Sequence, residues 1–363
     1  MSLQTAYIGI GSNLGNRKEY IDKAVKMLAD TEKIDSVRMS DLLETTSLGK
    51  IAQPDYLNAV AEVKTSLGPE VLYKKLIEIE NSLGRQRKEK WSSRTIDLDL
   101  LLFGDAVINT AELTVPHSQM HLRSFVLKGL CQLNGELVHP VMKVTAMELL
   151  SRLNGGDFAI DSHQPQLISI AGNIGVGKTT LAKKLADYLF CEILFEPYDT
   201  NPFLPDVYAG RTELSLDCQL YFLTRRVEQL GLNNLTPGQV YVSDYVFDKE
   251  QIYAKTLLNP KQLSLYEDIY KPFSKNVYTP ALVIYMQDST GKCLDRIHGR
   301  NRSYEQKIGL EFLDQLSEGY EQLFKNWKKS PVIRISTTKL DYTNPANIEN
   351  LLKQISFYIT VKK

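Results

Sequence analysis

Two carboxylates stand inside an otherwise apolar stretch, TIDLDLLLF, at residues 95–103. The stretch has the composition of a β-strand, and side chains two residues apart on a strand point to the same face, about 7 Å apart. Asp97 and Asp99 would therefore share one face, and Leu98 and Leu100 the other. Mg²⁺ commonly binds one or two carboxylates together with substrate phosphates, so the pattern is typical of a divalent metal site. A solvated strand face explains the spacing equally well.

The segment just before these carboxylates is rich in cations. Residues 84–94 read GRQRKEKWSSR, although the chain as a whole has equal totals of Lys+Arg and Asp+Glu, 43 each. Arginine guanidinium groups match phosphate oxygens bidentately. A carboxylate pair beside such a loop would suit a polyphosphate substrate, and a charged surface loop is the alternative.

A second segment, GNIGVGKT at residues 172–179, satisfies the phosphate-loop pattern G-x-x-x-x-G-K-[ST] in full. It follows the apolar run LISIA and precedes TLAKKLADYL, which is the strand-to-helix context that the pattern requires. Backbone N–H groups of such a loop wrap phosphates, and the helix dipole assists. Lys178 would reach the transferred phosphate, and the Thr179 hydroxyl is placed for Mg²⁺. The predicted ATP contacts are Gly172, Asn173, Ile174, Gly175, Val176, Gly177, Lys178, Thr179 and Thr180.

Two further features narrow the function of the second half. Glu196 follows an apolar stretch, so it would lie at a strand end where a carboxylate can accept a proton from a substrate hydroxyl. Residues 296–302 read RIHGRNR, and Arg296, Arg300 and Arg302 could gather near one end of a helix as a lid over the transferred phosphate. A solvated glutamate and a basic surface are the alternative interpretations.

The composition is that of a soluble protein with more than one core. The chain has 363 residues, 43% apolar and 24% charged, which suits two domains. Its formal net charge is zero, so no global field favours nucleic acid or an anionic membrane. The sequence lacks a signal peptide, a membrane-length apolar run and a cysteine pattern for disulfides or zinc. We therefore expect a cytoplasmic protein without nucleic-acid or membrane partners.

The domain boundary is predicted near residue 160. Residues 154–166, NGGDFAIDSHQPQ, are rich in Gly, Asn, Asp and Pro and lack apolar periodicity, as linkers do. A new apolar strand begins directly afterwards. We predict a first domain at residues 1–158, a linker at 159–166 and a second domain at 167–363.

The order of predicted elements indicates a fold class for each domain. In the first domain the apolar spacing predicts helices at 16–29 and 69–83 and strands at 34–43, 56–65 and 95–103. This order fits an α+β domain with helices on a largely antiparallel sheet. The second domain opens with strand, glycine loop and helix and has later short apolar strands between long helices. That pattern predicts an α/β domain whose parallel sheet is flanked by helices.

The first 150 residues resemble the 6-hydroxymethyl-7,8-dihydropterin pyrophosphokinases of folate synthesis. The likeness runs through GIGSNLG (9–15), QPDYLNAV (53–60), RTIDLDLLLFG (94–104) and LTVPH (113–117). The resemblance implies a ferredoxin-like fold. It also implies attack of the pterin hydroxymethyl oxygen on the β-phosphorus of ATP, the co-substrate, with release of AMP and the help of Mg²⁺.

The same resemblance assigns roles residue by residue. The implied metal ligands are Asp97 and Asp99. The implied phosphate-binding groups are Arg85 and Arg94, which are also catalytic, with Arg123 and His117. The implied pterin-binding groups are Tyr56, Phe125, Asn58, Thr45 and Leu48. Arg87, on the ATP side, and Trp91, on the pterin side, fall in a loop that closes over the site. Ser118 departs from the family, which often has an aromatic hydroxyl there.

Residues 167–363 are similar to the deoxynucleoside kinase family. The likeness runs through the glycine loop, FEP at 195–197, CQLY at 218–221 and RIHGRNRSYEQ at 296–306. It implies ATP-dependent 5′-phosphorylation of a deoxynucleoside, with the ordinary helix-mediated homodimer of that family. The implied roles are general base for Glu196, nucleobase contact for Gln219, base or carboxylate contact for Arg225, sugar 3′-hydroxyl contacts for Tyr208 and Glu305, and phosphate lid for Arg296, Arg300 and Arg302, with Arg302 also contacting ATP.

One departure concerns the third strand of the kinase domain. Many members follow it with an acidic residue, Arg and Ser, whereas this chain has Asp244 and Tyr245. Asp244 can replace the acid as an outer Mg²⁺ ligand, but the arginine is missing. Some bacterial purine-preferring members share the Asp-Tyr form, and Cys218 beside Gln219 leaves space for a purine. We therefore expect a purine deoxynucleoside, with deoxyadenosine first.

Two other accounts remain open at this stage. One domain could be an inert scaffold or ligand sensor attached to an active partner, and the phosphate loop could belong to a switch or motor. The complete carboxylate pair and the complete glycine loop argue against decay of either domain. Separate measurement of AMP and ADP release with each acceptor distinguishes a bifunctional enzyme from a scaffold.

Overall fold

The computed structural model describes residues 3–47, 53–85, 94–338, 341 and 344–360. The chain forms two compact units, Met1–Ala159 and Ile160–Lys363. The division falls within the segment for which the sequence predicts a linker.

The first unit is an antiparallel sheet with helices. Its elements are β1 (Gln4–Ser12), α1 (Arg17–Ala29), β2 (Ile34–Met39), β3 (Leu43–Thr45), β4 (Tyr56–Thr65), α2 (Pro69–Ser82), β5 (Asp97–Phe103), β6 (Ile108–Asn109), β7 (Thr114–Val115), α3 (Ser124–Asn134) and α4 (Ala146–Leu153). The main sheet has the order β2-β4-β1-β5, with β3 also paired to β4, and all its pairs are antiparallel. This βαββαβ arrangement confirms the ferredoxin-like prediction.

Local sequence signals set the two helices of the core face. The Asn16 side chain accepts a hydrogen bond from the Glu19 backbone N–H and so caps α1, and Pro69 begins α2 where its missing N–H costs nothing. Their apolar stripes pack with β1 and β5 in one cluster that includes Ile8, Leu76 and Leu98. The alternate side chains of β5 are thereby fixed on the opposite face of the sheet, the face where α3 packs.

Helix α3 lies very close to β4. A Cβ atom added at Gly129 would be 2.6 Å from Val60 Cγ2, so any side chain there would push α3 away from the sheet. The helix begins at Ser124, and Arg123 is its N-cap residue. Close packing at Gly129 therefore holds the start of α3 near the sheet face that carries Asp97 and Asp99.

The predicted strand at 34–43 is wrong in one respect, because the structure divides it into β2 and β3. Met39 pairs with Ala61, and Leu43 pairs with Asn58. The chain therefore advances four residues from Met39 to Leu43 while β4 advances only three, which leaves one extra residue opposite β4. Ser40 still pairs with Val60, because its backbone N–H donates to the Val60 carbonyl at 2.9 Å and its hydroxyl accepts the Val60 backbone N–H at 2.9 Å. The extra residue of the bulge therefore lies after Ser40, where Asp41 and Leu42 face the single residue Ala59.

The second unit is a parallel sheet with flanking helices, as predicted. Its elements are β8 (Gln166–Ala171), α5 (Lys178–Leu189), β9 (Glu192–Leu194), α6 (Leu204–Tyr208), α7 (Ser215–Leu230), β10 (Val240–Ser243), α8 (Lys249–Leu257), α9 (Pro260–Ser274), β11 (Leu282–Gln287), α10 (Thr290–Gly299), α11 (Leu310–Lys325), β12 (Val332–Ser336) and α12 (Pro345–Ile355). The strand order is β12-β11-β8-β10-β9, with every neighbouring pair parallel.

The central strand β8 is buried along its whole length, which requires cover on both faces of the sheet. It starts at Gln166, one residue before the predicted domain start. Because all five strands run in one direction, their carboxyl ends meet at one edge, the usual place for ligands in such sheets. None of the helices in the described part of the chain is long and apolar enough to cross a bilayer.

Candidate active sites

The two carboxylates of β5 share one face, as their spacing predicts. The Asp97 and Asp99 side chains are 19% and 34% exposed, whereas Leu98 and Leu100 are buried in the core. Burial and the neighbouring Asp99 charge raise the pKa of Asp97, although nearby arginines oppose this shift. The strand therefore presents two adjacent carboxylates in a partly dry setting.

Strand register aligns Asp97 with a predicted pterin-binding group. Gly11 of β1 is opposite Asp97 on one side and opposite Asn58 of β4 on the other. A Cβ atom added at Gly11 would be 3.0 Å from Asn58 Oδ1 and 4.0 Å from Asp97 Cβ. Glycine at this position leaves open the space between the two side chains, where a substrate could reach both.

Arginines surround the carboxylate pair. Asp97 pairs with Arg85 at 2.7 Å and with Arg94 at 2.8 Å, each arginine binding a different carboxylate oxygen. Arg123 Nη1 is 3.6 Å from Asp99 Oδ2, and His117 Nε2 is 4.0 Å from the same atom. Burial lowers the pKa of His117, which favours its neutral form. The structure thus brings together the predicted metal ligands and phosphate-binding groups.

Sequence reasoning missed Glu80, the carboxylate beneath this cluster. Glu80 pairs with Arg85, and its Oε1 accepts the Leu98 backbone N–H at 2.7 Å. Burial raises its pKa to about 6. The sequence did contain a signal for Glu80, because this residue continues the apolar stripe of Leu72 and Leu76 on α2 at a spacing of four residues. In the structure the Glu80 side chain is 2% exposed. An acid on an apolar stripe indicates a buried partner.

Asn13, also missed, links three parts of this site. Its Oδ1 accepts the Arg94 backbone N–H at 2.8 Å, and its Nδ2 donates to Gln53 Oε1 and to the Pro54 carbonyl. The neighbouring Ser12 hydroxyl donates to the Thr95 carbonyl at 2.6 Å. The end of β1 therefore holds the backbone before β5 against the loop that enters β4.

The remaining predicted pterin-site residues are partly described. Asn58 Nδ2 donates to Thr45 Oγ1 at 2.8 Å, and the Tyr56 hydroxyl donates to Gln53 Oε1 at 3.2 Å. Phe125 is half-buried in the first turn of α3, two residues after Arg123. Ser118 is exposed. Leu48, Arg87 and Trp91 lie outside the described residues.

In the second unit the glycine loop joins β8 to α5. Gly172 and Gly175 have φ values of 139° and 80°, and a Cβ atom at either would approach a backbone oxygen to 2.4 Å. Glycine is therefore required at both positions by backbone conformation and by space. Lys178 Nζ donates to the carbonyls of Gly172 and Asn173 at 3.0 and 2.8 Å, and burial lowers its pKa.

Other side chains anchor the loop and continue its helix. Asn173 Nδ2 donates to the Leu313 carbonyl at 2.7 Å, which ties the loop to α11. Val176 is buried, Ile174 lines the adjacent cleft, and Thr180 is exposed on the first turn of α5.

Asp244 connects the loop helix to Glu196. Its Oδ2 accepts the Thr179 hydroxyl at 2.6 Å, and its Oδ1 accepts the Glu196 backbone N–H at 2.7 Å. Burial and the Glu196 charge raise the pKa of Asp244. The residue after it, Tyr245, is fully buried and donates to Gln229 at 2.6 Å, so it supports the core.

Glu196 lies between two cations. Its Oε1 pairs with Lys249 at 2.6 Å and with Arg226, which also pairs with the buried Glu250. Burial opposes ionisation of Glu196, but Lys249 and Arg226 outweigh it and lower the pKa to about 2. The glutamate is therefore an anion with little intrinsic basicity in this arrangement.

The predicted carboxylate contact of Arg225 is wrong, because Arg226 makes the contact with Glu196. Arg225 is half-exposed and pairs with Glu228 at 2.8 Å. Gln219 and Arg226 are seven residues apart on α7, about two turns, so they share a face, whereas Arg225 is rotated from it by about 100°. Helical spacing from Gln219 could have identified Arg226. Lys249 had no such signal, since a lysine in a first helical turn is ordinarily solvated.

One cleft collects most of the predicted kinase residues. It has an empty volume of about 740 Å³. Predicted residues along its wall are Ile174, Gly175, Lys178, Thr179, Glu196, Tyr208, Gln219, Asp244, Arg300, Arg302 and Glu305. Gln219 is 2% exposed, and its Oε1 has no hydrogen-bond partner in the described part of the chain. An amide oxygen left unsatisfied at a cleft is suited to a ligand.

The three predicted lid arginines have different partners. Arg300 and Arg302 both pair with Glu305, at 3.2 and 3.4 Å, and Arg302 also donates to the Tyr198 hydroxyl at 2.7 Å. Arg296, in α10, pairs with Asp288 at 2.6 Å and donates to the Gly175 carbonyl at 3.3 Å. Arg296 therefore contacts the glycine loop, and Arg300 and Arg302 contact Glu305, which lines the cleft.

Comparisons with known proteins match these two units separately. Residues 7–135 match the family model described as 7,8-dihydro-6-hydroxymethylpterin-pyrophosphokinase. Residues 168–360, more than half of the chain, match the family model described as deoxynucleoside kinase.

Among similar proteins, the 2-amino-4-hydroxy-6-hydroxymethyldihydropteridine pyrophosphokinase of Haemophilus influenzae is 42% identical over 136 residues, which are 38% of this chain and 85% of that protein. The Bacillus subtilis protein of the same name is 42% identical over 128 residues, 35% of this chain and 77% of the relative. A solved structure of deoxyadenosine kinase from M. mycoides with bound dATP is 27% identical, covers 53% of this chain and 99% of its own, and has a TM-score of 0.47.

The family matches agree with the ferredoxin-like unit and with the parallel-sheet unit described above. The chain therefore belongs to the hydroxymethyldihydropterin pyrophosphokinases through its first unit and to the deoxynucleoside kinases through its second, and it is a bifunctional enzyme that uses ATP in both reactions.

Proposed function

We propose that the first unit transfers pyrophosphate from ATP to 6-hydroxymethyl-7,8-dihydropterin on the face of β5. The observation that carries this proposal is the row Asn58, Gly11 and Asp97 across three strands, in which an amide and a carboxylate lie on either side of a glycine. Arg85, Arg94 and the other cations around the carboxylates would bind the phosphates. The pterin would stack between Tyr56 and Phe125.

The oxygen donors of both units fit Mg²⁺, a hard cation that takes carboxylates and hydroxyls. In the first unit Asp97 and Asp99 would hold it, and in the second Thr179 and Asp244. The described residues contain no group of three or more His, Cys, Asp or Glu suited to a metal. Mg²⁺ usually binds one or two carboxylates together with substrate phosphates, so the phosphates of ATP would contribute ligands to each site. When bound, Mg²⁺ would neutralise charge on the phosphates.

The arginines of the first unit would change partners when ATP binds. Both oxygens of Asp97 are now paired with Arg85 and Arg94. Phosphate oxygens offer the same bidentate geometry, so the two guanidinium groups would turn from the carboxylate to the polyphosphate. Asp97 would then be free for the metal, and the arginines would position the β-phosphorus for attack.

We propose that the second unit phosphorylates the 5′-hydroxyl of a deoxynucleoside in the 740 Å³ cleft. Glu196 would remove the hydroxyl proton, and Lys178 would bind the transferred phosphate. Tyr208 and Glu305 would hold the sugar, and Gln219 would bind the nucleobase. Burial raises the pKa of Tyr208 well above its usual range, so its hydroxyl would act as a neutral hydrogen-bonding group.

We propose a purine deoxynucleoside as substrate, with deoxyadenosine preferred. The support for this preference is in the sequence, where the small Cys218 precedes Gln219 and Tyr245 follows Asp244. In the structure Cys218 is fully buried in a cluster with Leu204, Val207 and Phe222, and it is not among the described residues that line the cleft. Steady-state kinetics with the four natural deoxynucleosides should give deoxyadenosine the highest kcat/KM, by about tenfold over either pyrimidine, a difference of about 1.4 kcal/mol. A pyrimidine deoxynucleoside with the highest kcat/KM would contradict the assignment.

We also propose that residues 1–158 and 167–363 are the functional domains. We propose in addition that the second domain forms a homodimer through its helices. Helix α9 buries only Tyr266 completely and leaves Leu265 52% exposed. Sedimentation equilibrium should give twice the 41.2 kDa chain mass, and Leu265→Asp should shift the protein to monomer. Leu3→Asp, at a site with 53% exposure in the first unit, is the control. A monomeric wild type would exclude the dimer.

A further inference from the structure

Lys249 is a buried lysine with no role in the mechanism proposed above. It is the first residue of α8, its side chain is 4% exposed, and its Nζ is 2.6 Å from Glu196 Oε1. Its Nζ also lies 4.6 Å from the centre of the Tyr253 ring, one turn further along α8. A buried ammonium held by a carboxylate and an aromatic face has a fixed position.

Arg226 binds the same carboxylate oxygen from another direction. It comes from α7, is 2% exposed, and pairs with both Glu196 Oε1 and Glu250 Oε1. The Tyr266 hydroxyl donates to the second oxygen of Glu250. Arg226 therefore divides its charge between Glu196 and Glu250, whereas Lys249 forms its ion pair with Glu196.

The two cations leave the other oxygen of Glu196 available. Among the described residues, none hydrogen-bonds Oε2, while Oε1 is held by both Lys249 and Arg226. The Glu196 backbone is held separately by Asp244 at 2.7 Å. With the backbone and one oxygen fixed, the direction of the second oxygen is fixed too.

We infer that Lys249 is a positioning residue: together with Arg226 it holds one oxygen of Glu196 so that the other meets the 5′-hydroxyl of the deoxynucleoside. The inference rests on the proposed role of Glu196 as the base. Glu196 and Lys249 both line the cleft, and a base must lie within hydrogen-bond reach of the proton that it removes.

Orientation and basicity oppose each other at this site. The two cations that fix the carboxylate also make it a weaker base, so removal of Lys249 would raise basicity and loosen geometry. Burial lowers the pKa of Lys249 to about 8 despite the opposing effect of Glu196, so the side chain is still mainly charged at neutral pH. A misplacement of about 1 Å can cost 10²-fold in rate, and we expect the loss of geometry to dominate.

The test is a kinetic cycle in the full-length enzyme with the deoxynucleoside that it phosphorylates fastest. Lys249→Met should lower kcat about 10²-fold and leave the KM for ATP unchanged, and Lys249→Arg should recover at least tenfold of that loss. Lys249→Met combined with Glu196→Gln should be no more than about threefold slower than Glu196→Gln alone, because Lys249 acts through the carboxylate. Lys255→Met, at an exposed position on the same helix, is the control.

The outcomes separate this inference from the proposal beneath it. If Glu196→Gln retains wild-type turnover, the proposed base is wrong. If Glu196→Gln is slow but Lys249→Met is within threefold of wild type, only the role of Lys249 is overturned. If the fold-losses of Lys249→Met and Glu196→Gln multiply in the double variant, Lys249 acts on the substrate directly and not through Glu196. That result would also overturn the positioning role of Lys249. If Lys249→Met does not fold, Lys249→Gln takes its place, because glutamine can still donate a hydrogen bond. Lys249→Gln should lower kcat by less, and adding it to Glu196→Gln should again cause little further loss of kcat.

Discussion

Replacement of Asp97 or Asp99 by alanine should abolish AMP release from ATP and hydroxymethyldihydropterin, by at least about 10³-fold in turnover. Bound metal ions stabilise a transition state by several kcal/mol, and each 1.4 kcal/mol is a factor of ten. Both changes should be severe, because each removes one of the two carboxylates proposed to hold the metal. Turnover is measured with saturating ATP and pterin over a range of Mg²⁺ concentrations.

Three controls make the first experiment specific. Asp105→Asn removes a charge from an exposed position two residues after the end of β5 and should leave turnover unchanged. Deoxynucleoside phosphorylation by the same variants should also stay normal, since its residues lie in the other unit. Chelation of divalent metal should stop both activities until Mg²⁺ is restored. Pterin turnover within threefold of wild type in either aspartate variant would remove the metal assignment.

Replacement of Glu196 by glutamine should lower the turnover number for deoxynucleoside phosphorylation by about 10²–10⁴-fold, the usual cost of losing a general base. The KM for the deoxynucleoside should change much less, because glutamine keeps the size and hydrogen bonding of the side chain. Kinetics with saturating deoxyadenosine and ATP give both constants. If Glu196 only orients substrate, turnover should fall less and binding should weaken more.

The ion pairs of Glu196 call for a folding control. Glutamine leaves Lys249 without a buried anion, and an unpaired buried charge is destabilising. Thermal unfolding of the variant therefore has to accompany the kinetics, with the pterin reaction as a control for enzyme concentration. Glu196→Asp keeps the charge but withdraws the carboxylate by one methylene, and its turnover should fall between those of wild type and Glu196→Gln. A Glu196→Gln turnover within threefold of wild type is the outcome that rejects the base.

The amino-acid sequence alone was enough to predict both folds and to propose residues for both sites. Short-range patterns carry this information: alternation places Asp97 and Asp99 on one face, and the glycine loop has a fixed spacing between a strand and a helix. Both patterns depend on neighbours in the chain, so they can be read without knowing what packs against them.

Tertiary structure alone decided which groups surround those residues. Gly11 lies between Asn58 and Asp97 only because β1 pairs with both other strands, and that register is not visible along the chain. Lys249 and Arg226 reach one oxygen of Glu196 from two helices whose packing sets the distance. Long-range contacts of this kind depend on how separate elements pack, and a linear sequence does not specify them locally. The sequence therefore indicated the chemistry, and the packing of separate elements decided which partners hold it in place.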